Sequence, residues 1–246
     1  MQRNQIPKVI HYCWFGGKPL PGDVKACIRT WRKVCPDYQL QRWDESNTPI
    51  DDWPFAKAAY QAGAWAFVSD FVRLQVIYQY GGIYLDTDVE LLKSLDPLLQ
   101  YDGFFARQQS KEINTGLGFG AKAGLDAVRA MLQEYEQTEF APERKQELIC
   151  PVLNTRVLER MGFYQTEKPE QKDGILVLSP EYMDPYSSGD RVENLFCGRT
   201  ISIHHYSASW TSGRRRLKRR LIRIIGEDKL LWIRTMKTRR TAGKQK

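Results

Sequence analysis

The stretch from Ala64 to Tyr80 constrains this chain most. It is long enough for a helix of about four turns, apolar nearly all round, and stopped by Gly81-Gly82 as a helix C-cap requires. A helix apolar on most sides is a buried helix. Directly after the glycines comes a short apolar strand, Ile83-Tyr84-Leu85, ending in Asp86-Thr87-Asp88. On an extended backbone, side chains two apart share a face, so Asp86 and Asp88 project together from the strand end. Two carboxylates held that close repel and lose hydration unless a cation or strong donors sit between them. Asp-x-Asp is also common in solvated turns, so the surrounding residues decide between the two.

Those surroundings alternate strand and helix. Lys8 to Phe15 is β-branched and aromatic and stops at Gly16-Gly17, a strand with a loop at its carboxyl end. Asp23 to Val34 has helical spacing, Tyr38 to Trp43 alternates as a strand, and Ala56 to Tyr60 is a short helix. Strands follow at Gly103–Arg107, Ile113–Ala121 and Ile175–Leu178, and a last strand at Thr200–Tyr206. Helices are predicted over Gly124–Gln137 and Arg144–Met161, the latter bent or split by Pro151. The strand–helix–strand order predicts an α/β fold with a largely parallel sheet.

At 246 residues the chain suits one such domain with a tail. Five cysteines with no C-x-x-C spacing argue against a zinc site or a disulfide framework and favour a reducing compartment. No run of eighteen apolar residues indicates a spanning helix, and the start does not resemble a signal peptide. Residues 211–246 hold 14 of the 37 Lys and Arg but 2 of the 29 Asp and Glu, so residues 1–210 are four charges net acidic. The basicity belongs to a tail.

Within the buried helix, Ser69, Asp70 and Arg73 cluster at helical spacing. They are either an intrahelical pair on a wet face or buried charges that need partners. In the second case Asp70 can accept sugar hydroxyls, Arg73 can bind sugar and carboxylate, and Asp86 with Asp88 can hold a divalent cation on a diphosphate. His11, His204 and His205 all fall at predicted strand ends. One of them, added to the two aspartates, makes a mixed O/N site that suits Mn²⁺ better than Ca²⁺. Trp14 either packs in the core or stacks on a flat heterocycle where its loop opens. Neither G-x-G-x-x-G nor G-x-x-x-x-G-K-[ST] occurs, which favours a metal-based grip on diphosphate.

The segments Ile6–Gly17, Ala66–Leu74, Gly81–Asp88 and His204–Trp210 together resemble the glycosyltransferases with the DXD sugar-binding motif, glycosyltransferase family 32. That group includes bacterial capsular-polysaccharide transferases and yeast Golgi mannosyltransferases, and is distantly similar to the clostridial glucosylating toxins. The resemblance covers about residues 6–120 and 200–210. It implies a GT-A domain over 1–210, a nucleotide-sugar donor (a UDP-sugar favoured), Mn²⁺ with Mg²⁺ as the alternative, and retention of anomeric configuration. By position it puts Trp14 on the nucleobase, Asp70 and Arg73 on the donor sugar, and Tyr84 beside the nucleotide. Asp86 would contact ribose or metal and Asp88 would ligate the metal. His205 would be the third ligand with His204 as the alternative; the toxins have a carboxylate near this position. Ser209 and Trp210 would approach the diphosphate, and Asn114 would face sugar or acceptor. Residues 121–199 match weakly and would carry acceptor choice.

Residues 211–246 form the tail. Arg214 to Ile225 places Leu217, Leu221, Ile224 and Ile225 on one helical stripe among Arg and Lys, with Leu230 to Ile233 beyond. This suits an amphipathic helix on an anionic membrane surface through residues 214–236, or a locally packed terminal helix. The expectation is a cytoplasmic transferase, peripheral on the inner face of the plasma membrane. It would act on a glycan or lipid-linked acceptor in capsule, O-antigen or exopolysaccharide synthesis, with no nucleic acid partner. The competing readings are a phosphohydrolase using Asp86 as nucleophile and a non-enzymatic adaptor with a basic tail.

Overall fold

The structure, a computed structural model, describes residues 6–164, 166, 168–186 and 193–207. The chain divides into two units, residues 1–187 with 193–205, and residues 188–192 with 206–246. The expected tail, Ser209 and Trp210 lie outside the described residues.

In chain order the elements are β1 (Val9–Cys13), α1 (Gly22–Val34), β2 (Gln39–Trp43), α2 (Pro54–Gln61), α3 (Trp65–Tyr80), β3 (Gly82–Tyr84) and β4 (Val89–Leu91). Then come β5 (Gly103–Ala106), β6 (Phe119–Ala121), α4 (Asp126–Glu136), α5 (Lys145–Leu148), α6 (Cys150–Arg160), β7 (Glu170–Lys172), β8 (Ile175–Leu178), α7 (Pro180–Met183) and β9 (Ser202–His204). A 7-stranded sheet has the order β2-β1-β3-β6-β5-β8-β7. Strands β2, β1, β3, β5 and β8 run one way, and β6 and β7 run against them. This is the mixed, mostly parallel α/β sheet that the alternating elements predict.

Helix α3 packs against α2 and α4 and against strands β1 and β3. Its Val68, Phe71, Val72, Leu74, Val76 and Ile77 join Phe105, Phe119, Met131 and Leu158 in one core. Each such side chain fully removed from water contributes about 1.5–3 kcal/mol. That total tolerates the cost of a charged pair on the same helix. The helix ends where Gly81 takes φ 66°, ψ −172°, and its N–H returns to the Ile77 carbonyl. The chain then enters β3 beside β1, with Ile10 opposite Ile83.

Two expectations need correction, and one open alternative is decided. Only Phe119–Ala121 of the expected 113–121 strand pairs in the sheet. Asn114, which hydrogen-bonds the Gly116 N–H through its side chain, and Gly118, at φ 131°, turn the preceding residues into a close-packed strap. The expected last strand is short and leaves the main sheet: β9 pairs antiparallel with β4, Val89 opposite His204. The helical stretch expected from Arg144 is split rather than bent: α5 ends at Leu148, and Pro151 sits in the first turn of α6.

Candidate functional site

The carboxyl ends of β1 and β3 lie side by side, and the Leu85 N–H donates to the His11 carbonyl at 3.1 Å. In open α/β sheets this edge is where ligands bind. Trp14 leaves β1 there, partly buried, with its backbone N–H on the Trp43 carbonyl and its indole N–H on the Lys18 carbonyl. Asp86 leaves β3 there, and its carbonyl receives the Val89 N–H in the turn that carries Asp88 into β4.

Strand β4 is held from behind by α1. The Trp31 indole donates to the Val89 carbonyl at 2.7 Å, and the Leu91 N–H reaches Thr30 Oγ1 at 2.9 Å. The β4–β9 ladder then delivers a histidine from the far end of the chain. His204 Nε2 lies 3.0 Å from Asp88 Oδ1 and 3.9 Å from Asp86 Oδ2. One ligand atom from each of Asp86, Asp88 and His204 lies within 4.8 Å of the others. Two hard carboxylate oxygens and an imidazole nitrogen are a donor set that fits a divalent cation of the Mn²⁺ type.

The preference between the two histidines reverses. His205 Nε2 sits 2.9 Å from Glu90 Oε2, while its backbone N–H donates to the Asp88 carbonyl at 2.9 Å. Neighbouring side chains on a strand point to opposite faces, so only one of the pair can reach the aspartates. Which one does so depends on the register with β4.

The helix residues meet the same cluster. Arg73 Nη2 lies 2.8 Å from Asp70 Oδ1 and 3.1 Å from Asp86 Oδ1, with the side chain 3% exposed. Its Nε–H returns to the Ser69 carbonyl, and the guanidinium lies 4.8 Å from the Tyr84 ring centroid. Tyr84 donates its hydroxyl to Asp86 Oδ1 at 3.0 Å. The wet-face alternative for Asp70 and Arg73 is thus excluded; both are buried and bridged to the strand-end aspartate. Burial pushes the Asp70 carboxyl up to about 6 against the pull of Arg73. Burial likewise raises Asp86, again opposed first by Arg73. At His204 burial opposes the charged form, but the carboxylates of Asp88, Asp86 and Asp184 together outweigh it and the imidazole is raised.

Asn114 is buried beside this group, accepting the Gly116 N–H at 2.8 Å and donating to Gln108 Oε1 at 3.0 Å. Residue reading missed Gly116 and Cys150. A Cβ on Gly116 would fall 2.5 Å from Asp86 Oδ2 and 3.1 Å from Arg73 Nη1, so the backbone of the strap forms a wall of the site. Cys150 was legible only as part of Cys-Pro, a helix-opening dipeptide. A separate cleft of about 320 Å³, lined by Trp53, Phe71, Tyr78 and Tyr135 among others, shares no residue with the site.

The mixed, mostly parallel sheet with Asp86 and Asp88 beyond the carboxyl end of β3 is the GT-A type of glycosyltransferase fold. Residues 21–105 match the family described as "Glycosyltransferase sugar-binding region containing DXD motif". Inositol phosphoceramide mannosyltransferase 3 of Schizosaccharomyces pombe is 36% identical over 127 residues, 48% of this chain and 34% of that protein. Inositol phosphoceramide mannosyltransferase 2 of the same yeast is 31% identical over 100 residues, 39% of this chain and 29% of that protein. The chain thus spans about a third of the length of these relatives. Among solved structures, PaToxG glycosyltransferase superposes with a TM-score of 0.53 at 18% identity, covering 64% of this chain and 69% of that one, a likeness of fold.

Proposed function

We propose that this protein is a retaining, metal-dependent glycosyltransferase that moves a sugar from a nucleotide-sugar donor, a UDP-sugar favoured, to a glycan or lipid-linked acceptor. The observation that carries this reading is the bridge of Arg73 between Asp70 and Asp86, with Asp88 and His204 beside it. It joins a sugar-binding helix to a cation-binding strand end. Asp86, Asp88 and His204 would hold the divalent ion, which supplies positive charge against the diphosphate.

Asp70 accepts donor-sugar hydroxyls, and Trp14, at the neighbouring strand end, stacks on the base. Tyr84 and Asn114 flank the nucleotide and the sugar, and the sequence resemblance would assign Ser209 and Trp210 to the diphosphate. Arg73 stabilises the negative charge that develops as the anomeric C–O bond to the diphosphate breaks. The acceptor oxygen bonds the anomeric carbon from the side the diphosphate leaves, and its proton passes to a departing phosphate oxygen. Configuration is retained.

The relatives' names specify mannosyl transfer to inositol phosphoceramide, which makes mannose a second donor sugar to test and a lipid-borne acceptor consistent with the family. For this chain we place the acceptor in surface polysaccharide synthesis. On this reading residues 211–246 would serve as a basic tail that associates through residues 214–236 with the anionic inner face of the plasma membrane. Among the described residues no helix is long and apolar enough to cross a membrane. Anionic liposomes should bind the full chain and release one truncated after Trp210.

The reaction is tested with a panel of UDP- and GDP-sugars and Mn²⁺, following slow donor hydrolysis to free sugar. Turnover of one donor supports the proposal. Release of phosphate from phosphomonoesters with every nucleotide sugar left intact would establish the phosphohydrolase reading instead.

A further inference from the structure

Cys150 opens α6, in the segment 121–199 that matches the family weakly, yet it lies inside the cluster just described. Its sulfur is 3.5 Å from Asn114 Oδ1, and the Arg73 Nη1–H points to it at 3.9 Å. Cys150 also stands close enough to the Asp70 carboxylate to favour its charged form. The residue is 6% exposed, and burial pushes the thiol far above its ordinary range, so it is a neutral donor and weak acceptor rather than a nucleophile.

The contacts divide by function. The start of α6, the positive end of an 11-residue helix, favours the charged form of Asp70. Sulfur accepts from the guanidinium, and the thiol proton goes to the Asn114 amide oxygen. Asn114 in turn holds the Gly116 N–H, and Gly116 is packed against Asp86. One side chain therefore links helix α3, the strap at 114–116 and the start of α6.

We propose that Cys150 is a positioning residue of the donor-sugar site, fixing Arg73 and Asn114, and through Arg73 the Asp70 carboxylate, in a single arrangement. This rests on the glycosyltransferase reading above. Alanine at 150 keeps the backbone N–H but removes donor and acceptor. Serine keeps both with a shorter reach. A residue that served packing alone would tolerate alanine better than serine, because a buried hydroxyl costs more than a methyl. A positioning role reverses that order.

The test is calorimetric titration of the full chain, with Mn²⁺, using UDP-glucose and UDP, and in parallel GDP-mannose and GDP. With whichever pair binds wild type, Cys150→Ala should weaken the nucleotide sugar about tenfold and the parent diphosphate less than twofold. Cys150→Ser should stay within threefold of wild type for both ligands. Thermal unfolding confirms that the variants fold; should the alanine variant not fold, wild-type-like sugar discrimination by the serine variant supports the inference and its loss overturns it. Equal binding of both ligands by alanine variant and wild type overturns it, as does equal weakening of sugar nucleotide and diphosphate. So does a serine variant no better than alanine. A wild type that binds none of the four overturns the glycosyltransferase reading itself, and the inference with it.

Discussion

The Nε2 of His204 lies 3.0 Å from Asp88 Oδ1, across the β4–β9 ladder and 116 residues along the chain. Its neighbour His205 is turned to Glu90 by the alternation of the strand. The two histidines therefore separate cleanly by substitution. His204→Ala should lower Mn²⁺ affinity by at least tenfold in a titration followed by electron paramagnetic resonance. His205→Ala should change it less than threefold. Equal losses from both would contradict the assignment of His204 to the donor set.

Two glycines separate damage to the fold from damage to the site. At Gly81 the backbone takes φ 66°, and a Cβ would approach the Ala123 nitrogen to 2.8 Å. Gly81→Ala should cost about 2–3 kcal/mol of stability in denaturant unfolding. Gly116→Ala instead drives a methyl toward Asp86 Oδ2, 2.5 Å away. It should lower kcat/KM roughly a hundredfold, about 2.7 kcal/mol of transition-state stabilisation. Its effect on unfolding should be smaller than that of Gly81→Ala. If the order is opposite, Gly116 is structural and the strap is not a wall of the site.

Tyr135 gives a prediction of the opposite sign. Its ring packs edge-on against Phe55 and Phe71, and the side chain is fully buried. The hydroxyl has no hydrogen-bond partner among the described residues. A buried hydroxyl without a partner costs about 1–3 kcal/mol. Tyr135→Phe should therefore leave stability unchanged or raise it by about 1 kcal/mol, measured by equilibrium unfolding. A loss of that size would show that the hydroxyl is satisfied, for instance by water.

Much of the site was legible because its parts are local. Asp70 and Arg73 are three apart on a helix whose apolar surroundings imply burial, and Asp86 follows after one glycine turn and one short strand. The α/β order was legible for the same reason, since each βα step leaves its own periodicity. What was not legible depends on long-range register. Strand β4 is three residues long, too short to carry a period, so its pairing with β9 left no trace. Without it the choice between His204 and His205 could not be made. Cys150 was hidden differently. Nothing in a Cys-Pro dipeptide states that the start of α6 is folded back onto α3.

His11 supplies the dependence of stability on pH. It is 3% exposed, its Nε2 lies 3.0 Å from the Gly81 carbonyl, and its Nδ1 receives the Trp43 indole N–H at 3.0 Å. That pair of bonds requires a neutral ring with the proton on Nε2, because a proton on Nδ1 would face another donor. Burial lowers its pKa from 6.5 to about 4, partly opposed by the Gly81 carbonyl. The unfolded chain therefore binds the proton first. Above pH 6.5 both states are neutral and the residue contributes no pH dependence. As the pH falls from 6.5 toward 4, stability is lost by about 1.4 kcal/mol per unit, reaching about 2–3 kcal/mol near pH 4.5. Asp70 acts in the other direction, since its folded pKa of about 6 lies above the unfolded value of 3.8 and the fold gains from its protonation over that range. The whole-protein curve mixes the two, so the comparison is with His11→Gln, which cannot titrate. Wild type should lose stability relative to that variant between pH 6.5 and 4.5, and the imidazole resonances of His11 should stay neutral to below pH 5. A His11 that titrates near 6.5 in the folded protein would remove both effects.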